Sequence, residues 1–208
     1  MAQQILIYGV IVLLQGTALA AKLSSEEKKE INITSVKYEG SGCPKGSVYV
    51  DLSPDKEVFT TAFNQFTVTK NGSQDPFGQS KECRLTLTVR KPENIGFQFF
   101  SIDIEGAADL EDKLIATQKI AVHSLGKPYK SPKRAIVFEG PYSDSYERTE
   151  EFDFIKKPWL ACGRKTSKLS IKTQIAIIPS RKKKNDKFGF MSVNLSEGVA
   201  KEKLDIIW

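Results

Sequence analysis

The stretch Ser35-Val36-Lys37-Tyr38-Glu39-Gly40-Ser41-Gly42-Cys43-Pro44-Lys45-Gly46-Ser47 reads as a strand ending in a glycine-rich corner that presents Cys43. Two alternating stretches then lead to Cys83, which opens another apolar-alternating strand. In an oxidising compartment Cys43 and Cys83 make the natural covalent staple of a β domain. Three cysteines allow three single pairings, each leaving one thiol over, and Cys43–Cys83 is the pairing preferred here. Closing that loop contributes on the order of 4 kcal/mol in the chain-entropy account.

Working outward, the strand signals repeat. Strand character begins at Ile31. Val48, Val50 and Leu52 alternate with Tyr49 and Asp51, and Ser53-Pro54-Asp55 turns the chain. From Phe59 to Phe66 aromatics fall on both faces, as in a strand covered on both sides or one that changes sheets by a bulge. Lys70 to Lys81 has loop composition. Cys83, Leu85, Leu87 and Val89 then alternate with Arg84, Thr86 and Thr88, a half-buried strand. A strongly apolar strand is expected from Phe97 to Glu105, ended by Gly106, with one helical turn within 107–114. Lys113 to Ser124 alternates again, and Ala135 to Phe138 is a short strand. Asp144 to Asp153 reads as an acidic surface loop reaching an edge strand at Phe152–Phe154. Leu169, Ile171, Thr173, Ile175 and Ile177 form another clean strand. Phe188–Phe190 and Leu204-Ile206-Trp208 close the series. The fold class is therefore all-β: a single-domain β-sandwich, jelly-roll-like, of roughly ten short strands.

Charged residues at 27% and hydrophobic ones at 40% exclude wholesale disorder. Ile5 to Leu14 has the length of a signal-peptide core, shorter than the ~20 residues that span a bilayer. Ala18 and Ala20 satisfy the small-x-small cleavage rule, although the preceding residues carry no Lys or Arg. The expected organisation is a signal peptide over 1–20, a flexible charged arm over 21–30 and one domain over 31–208. No anchor is expected to remain after cleavage, so the mature protein should be secreted. Asn32-Ile33-Thr34, Asn71-Gly72-Ser73 and Asn194-Leu195-Ser196 are N-glycosylation acceptors for such a compartment.

Gly40-Ser41-Gly42-Cys43-Pro44-Lys45-Gly46-Ser47, Phe63-Asn64-Gln65-Phe66, Cys83, Phe138-Glu139-Gly140-Pro141 and Trp159-Leu160-Ala161-Cys162-Gly163 follow one another in an order that resembles a secreted family catalogued as domain of unknown function 4360. The resemblance spans Ile31 to Trp208. It implies secretion, a β-rich fold and cysteine pairing, and it brings no assigned activity. Members typically end in a Trp followed shortly by a Cys, whereas this sequence stops at Trp208. The resemblance thus leaves Cys162 as a free thiol, as one that pairs between chains, or as one whose partner lies past the end of this sequence.

Catalytic signatures are thin. His123 is the sole histidine, at a strand end and without a Gly-x-Ser-x-Gly element, so it reads as a surface residue. Asp103 and Glu105 share one strand face about 7 Å apart, near the separation glycosidases use, although a wet strand face carries such pairs routinely. Asp109, Glu111 and Asp112 form an acidic turn lacking the ligand order of an EF-hand, and three widely spaced cysteines make no zinc set. No metal or cofactor is expected. The net charge of +6 is concentrated at Arg181-Lys182-Lys183-Lys184, candidates for binding anionic polysaccharide or lipid headgroups, or simply a solvated hairpin loop. Nucleic acid is not expected as a partner, given the compartment and the absence of an aromatic-interleaved motif. The reading leans to a non-catalytic binding protein for an extracellular glycan or protein. A carboxylate-dependent polysaccharide hydrolase and a membrane-contacting effector or defence protein stand as the alternatives.

Overall fold

The computed structural model describes residues 23–96, 98–124, 133–151, 162–181, 183–193 and 202–207. The expected signal peptide, Phe152–Phe154, Lys182, Asn194 and Trp208 lie outside these residues. A short helix, α1 (Ser25–Glu30), precedes twelve strands among the described residues: β1 (Asn32–Glu39), β2 (Val48–Leu52), β3 (Val58–Phe63), β4 (Thr67–Asn71), β5 (Gln79–Arg90), β6 (Gln98–Leu110), β7 (Leu114–Ser124), β8 (Lys133–Glu139), β9 (Tyr142–Glu151), β10 (Thr166–Pro179), β11 (Phe188–Ser192) and β12 (Glu202–Ile207). They form two sheets. One is five-stranded, β1-β5-β10-β7-β8; the other is seven-stranded, β2-β3-β12-β6-β11-β4, with β9 paired to β6. All pairings are antiparallel. This is the expected β-sandwich.

Period-2 alternation builds the core. Leu85, Leu87 and Val89 of β5, Leu169, Ile171, Ile175 and Ile177 of β10, and Leu114, Ala116, Ile120 and Val122 of β7 are buried on the inward face of one sheet. Phe59 and Phe63 of β3, Val68 of β4, Ile102, Ile104 and Leu110 of β6 and Met191 of β11 belong to the same core. The Cys43–Cys83 disulfide is formed, with both residues 2% exposed and their Cα atoms 5.4 Å apart. The corner before it needs glycine. A Cβ on Gly40 (φ +136°) would run into the Glu82 carbonyl, and one on Gly42 would run into the fully buried Phe66 ring.

Four local expectations are corrected. Phe59 to Phe66 is not one strand: β3 ends at Phe63, the chain breaks, and β4 begins at Thr67, so Phe66 points inward from the break. Gly106 does not end β6, which runs on to Leu110 without a helical turn. Glycine is there because Tyr146 of β9 passes over it; a Cβ would collide with the phenol oxygen and the Ser192 carbonyl. The acidic segment from Asp144 is β9 itself, paired along β6 from Ser101 to Leu110, with polar residues outward and Tyr146 inward. Tyr146 donates to Gln118 Oε1 of the opposite sheet at 2.8 Å. Finally, Ser25–Glu30 is helical, because Ser24 and Glu27 form a capping box.

The disulfide closes a separation of 40 residues. A Cys43→Ala, Cys83→Ala variant should lose about 4 kcal/mol of unfolding free energy, read from urea denaturation of the two proteins side by side.

Candidate functional site

The outward face of the seven-stranded sheet is partly open to solvent, with Ser192 and Ala62 buried on it and Thr67, Thr69, Asp103 and Glu105 half-buried. Strand register places Asp103, Glu105, Ala107 and Asp109 of β6 on that face, with Thr149, Glu147, Ser145 and Ser143 of β9 opposite them in turn. On the other side of β6 come Ser192 and Phe190 of β11, then Thr67 and Thr69 of β4. Thr60 and Ala62 of β3 continue the face to Asp51 and Tyr49 of β2. The floor is a strip of small or hydroxylated residues: Ala62, Thr67, Thr69, Ser192 and Ala107. Tyr49, 66% exposed, stands at one border and Phe188, 43% exposed, at another; Phe190 is half-buried between them. Thr149 donates to Asp103 Oδ1 at 2.7 Å. Glu105 and Glu147 sit directly opposite each other, a like-charge pair that the face keeps in water.

Asp103 and Glu105 thus share a face as the sequence predicts. His123 is half-buried in β7, in the other sheet. Asn32 is exposed on β1 and Asn71 is exposed at the end of β4, so both acceptors are accessible. Cys162 is exposed and carries a free thiol. Asp109, Glu111 and Asp112 part company: Asp109 stays on the sheet, while Glu111 accepts from the Phe188 N–H at 3.1 Å and Asp112 binds Lys187 at 2.8 Å. That bond holds the Asp112 carboxyl below its ordinary range and raises the Lys187 ammonium above its own. Arg181, Lys183 and Lys184 are exposed in the loop between β10 and β11.

Tyr49, Phe190 and Lys70 were not singled out by sequence reasoning. The parity of Val48-Tyr49-Val50 does put Tyr49 outward, so its exposure was readable. Lys70 was not. It occupies an inward position of β4 and is fully buried, its ammonium donating to the carbonyls of Gly72 (3.1 Å), Asn185 (3.2 Å) and Lys187 (2.7 Å). Burial pushes the Lys70 ammonium below 10.5, partly offset by Asp75, Asp186 and Glu111.

With this geometry in view, the chain matches the family model described as Domain of unknown function (DUF4360) over residues 29–208. The chain belongs to that family. An uncharacterized secreted protein of Arthroderma benhamiae is 27% identical over 154 residues, covering 74% of this chain and 62% of that protein. The chain therefore spans 62% of the length of the curated relative it matches. Like that relative, this DUF4360 protein is secreted, and no helix among the described residues is long and apolar enough to cross a membrane. Among solved structures, TmCBM61 in complex with β-1,4-galactotriose is 10% identical, with a TM-score of 0.30 over 88% of this chain and 97% of that one. The family 11 carbohydrate-binding module from Clostridium thermocellum, in complex with a mixed-linked tetrasaccharide, is 13% identical with a TM-score of 0.25 over 84% and 90%. At those scores the overlaps carry no argument about the ligand of this chain.

Between its depressed pKa and 10.5, Lys70 has shed in the folded state a proton that the unfolded chain still holds. Its contribution to stability therefore rises with pH through that window. Urea midpoints measured from neutral pH to 10.5 should show this upward component in the wild type and lack it in Lys70→Met.

Proposed function

We propose that this DUF4360 protein is a secreted, non-catalytic binding module that lays an extended extracellular glycan across the outward face of the seven-stranded sheet. One observation carries the reading: a polar strip floored by small side chains and bordered by the exposed ring of Tyr49, with Phe190 about 16 Å away by strand spacing and rise. Sugars present C–H faces that pack on aromatic rings and hydroxyls that bond to carboxylates and threonines. This face offers both, because Asp103, Glu105 and Asp109 run in a row beside the strip. A strip on a paired sheet is also rigid, so little ordering cost accompanies binding.

Asp103 and Glu105 act here as hydrogen-bond acceptors. Both project from one strand on the same side, whereas glycosidic acid/base work needs carboxyl groups flanking the bond to be cleaved.

The mature chain should be retained on at least one insoluble polysaccharide and release no reducing sugar from it. Tyr49→Ala, which removes an exposed ring and leaves the core intact, should weaken retention about tenfold. Unchanged retention in Tyr49→Ala would remove the sheet face from the account. Turnover that disappears in Asp103→Asn, Glu105→Gln would replace binding with hydrolysis.

A further inference from the structure

A second surface lies past the end of this face, where the chain leaves β4 and enters β11. Ser73 follows Asn71 by two residues and Asp186 precedes Phe188 by two. Together with Pro76, Lys184 and Asn185 they line an open groove. Its backbone is not a free hairpin. The Lys70 ammonium ties the Gly72, Asn185 and Lys187 carbonyls into one knot. The Asn185 N–H donates to the Pro76 carbonyl at 3.3 Å, and Lys187 is held by Asp112 from the turn after β6.

The charges in this loop divide into two groups. Lys187 is paired, and Asp186 faces Lys70 and Lys187 electrostatically. Arg181, Lys183 and Lys184 are exposed and form no ion pair among the described residues. The Lys184 ammonium sits 5.3 Å from the centroid of the Phe77 ring, itself 65% exposed. The exposed ring with Lys184 over it, and the exposed cations Arg181 and Lys183 nearby in the chain, make a combined apolar and cationic surface.

We infer that this groove and the exposed side chains next to it in the chain bind an acidic sugar chain, one bearing carboxylate or sulfate groups, with Lys184 in the groove and Arg181 and Lys183 before it meeting the anions and Phe77, next to Pro76, the face of a sugar ring. The cations alone fit any polyanion. The ring decides for a ligand with apolar faces between its charges, and the ties at Asn185 and Lys187 lower the backbone part of the ordering cost beside Lys184. The site stands apart from the sheet face and rests on different residues.

The test is retention of the mature chain on immobilised polygalacturonate and heparin, with phosphatidylserine-containing vesicles as the competing surface. Arg181→Ala, Lys183→Ala, Lys184→Ala should weaken polysaccharide retention about tenfold and flatten its salt dependence. Phe77→Leu should weaken it about threefold with the salt dependence unchanged. Tyr49→Ala should leave it as it is, so this site and the sheet face fail separately. Equal retention of the triple variant overturns the inference, as does equal retention of Phe77→Leu. Binding to the vesicles but to neither polysaccharide also overturns it, in favour of a lipid surface.

Discussion

The pairing of β10 with β5 is the constraint on which the rest of the sandwich depends. Thr166 opposes Arg90 and Ile177 opposes Gln79 with no shift in between. β7 continues the same phase on the other side, from Leu169 opposite Ser124 to Pro179 opposite Leu114. A slip of one residue would turn Leu169, Ile171, Ile175 and Ile177 to solvent together, so the register is fixed by the burial of the whole row. The glycine corner follows from it. Gly42 donates to the Glu82 carbonyl at 2.8 Å, beside Cys83 on β5, so the disulfide is anchored to a strand whose position is already set. The corner also carries the start of the second sheet, because Ser47 accepts from the Asn64 N–H and leads into β2.

The core is closed at its ends by two buried lysines rather than by hydrocarbon. Lys70 binds three carbonyls beside the β10–β11 loop. Lys91, 1% exposed, donates to the carbonyls of Ile95, Pro92 and Arg164. Burial lowers the pKa of both. Each ammonium offers three donors to backbone oxygens of the loops, which offsets part of the desolvation cost. Loops knotted in this way hold their backbone, which lowers the backbone part of the ordering cost of binding through neighbouring side chains such as Lys184.

Alternation made most of this legible in the sequence. β5, β7 and β10 are mostly apolar inward, with Gln118 and Thr173 the buried exceptions, so period and parity agree well enough to read. Where parity is mixed, local reading failed for physical reasons. Gly106 ends strands in most contexts, yet here its missing Cβ is what lets Tyr146 cross to Gln118. β9 is polar enough to pass for a loop because it is an edge strand, with Tyr146 its fully inward ring. Lys70 reads as loop chemistry because no local pattern announces a charge turned inward; its partners lie 115 and 117 residues away. The candidate face was half legible. Tyr49 and Asp103 follow from parity, but that they share a surface depends on strand order, which periodicity does not encode.

The charge distribution argues for two surfaces rather than one. Asp51, Asp103, Glu105, Glu147 and Asp109 outnumber Lys203, which the register places between Thr60 and Asp103 on the sheet face, while Arg181, Lys183 and Lys184, without an ion pair among the described residues, collect beyond Phe188. By strand rise Glu105 lies about 20 Å and Asp109 about 7 Å from the level of Phe188, so with exposed charges acting over ~8 Å at physiological salt only the Asp109 end of the face reaches that level. Around Glu105 and Glu147 the sheet face is thus outside the reach of charges at the level of Phe188. An acidic polymer laid along the sheet face would meet the Glu105–Glu147 pair at close range and be repelled. A neutral, hydroxyl-rich chain would find acceptors in those same carboxylates. At the groove the preference reverses, because its cations form no ion pair among the described residues while its lining carboxylate, Asp186, already faces Lys70 and Lys187.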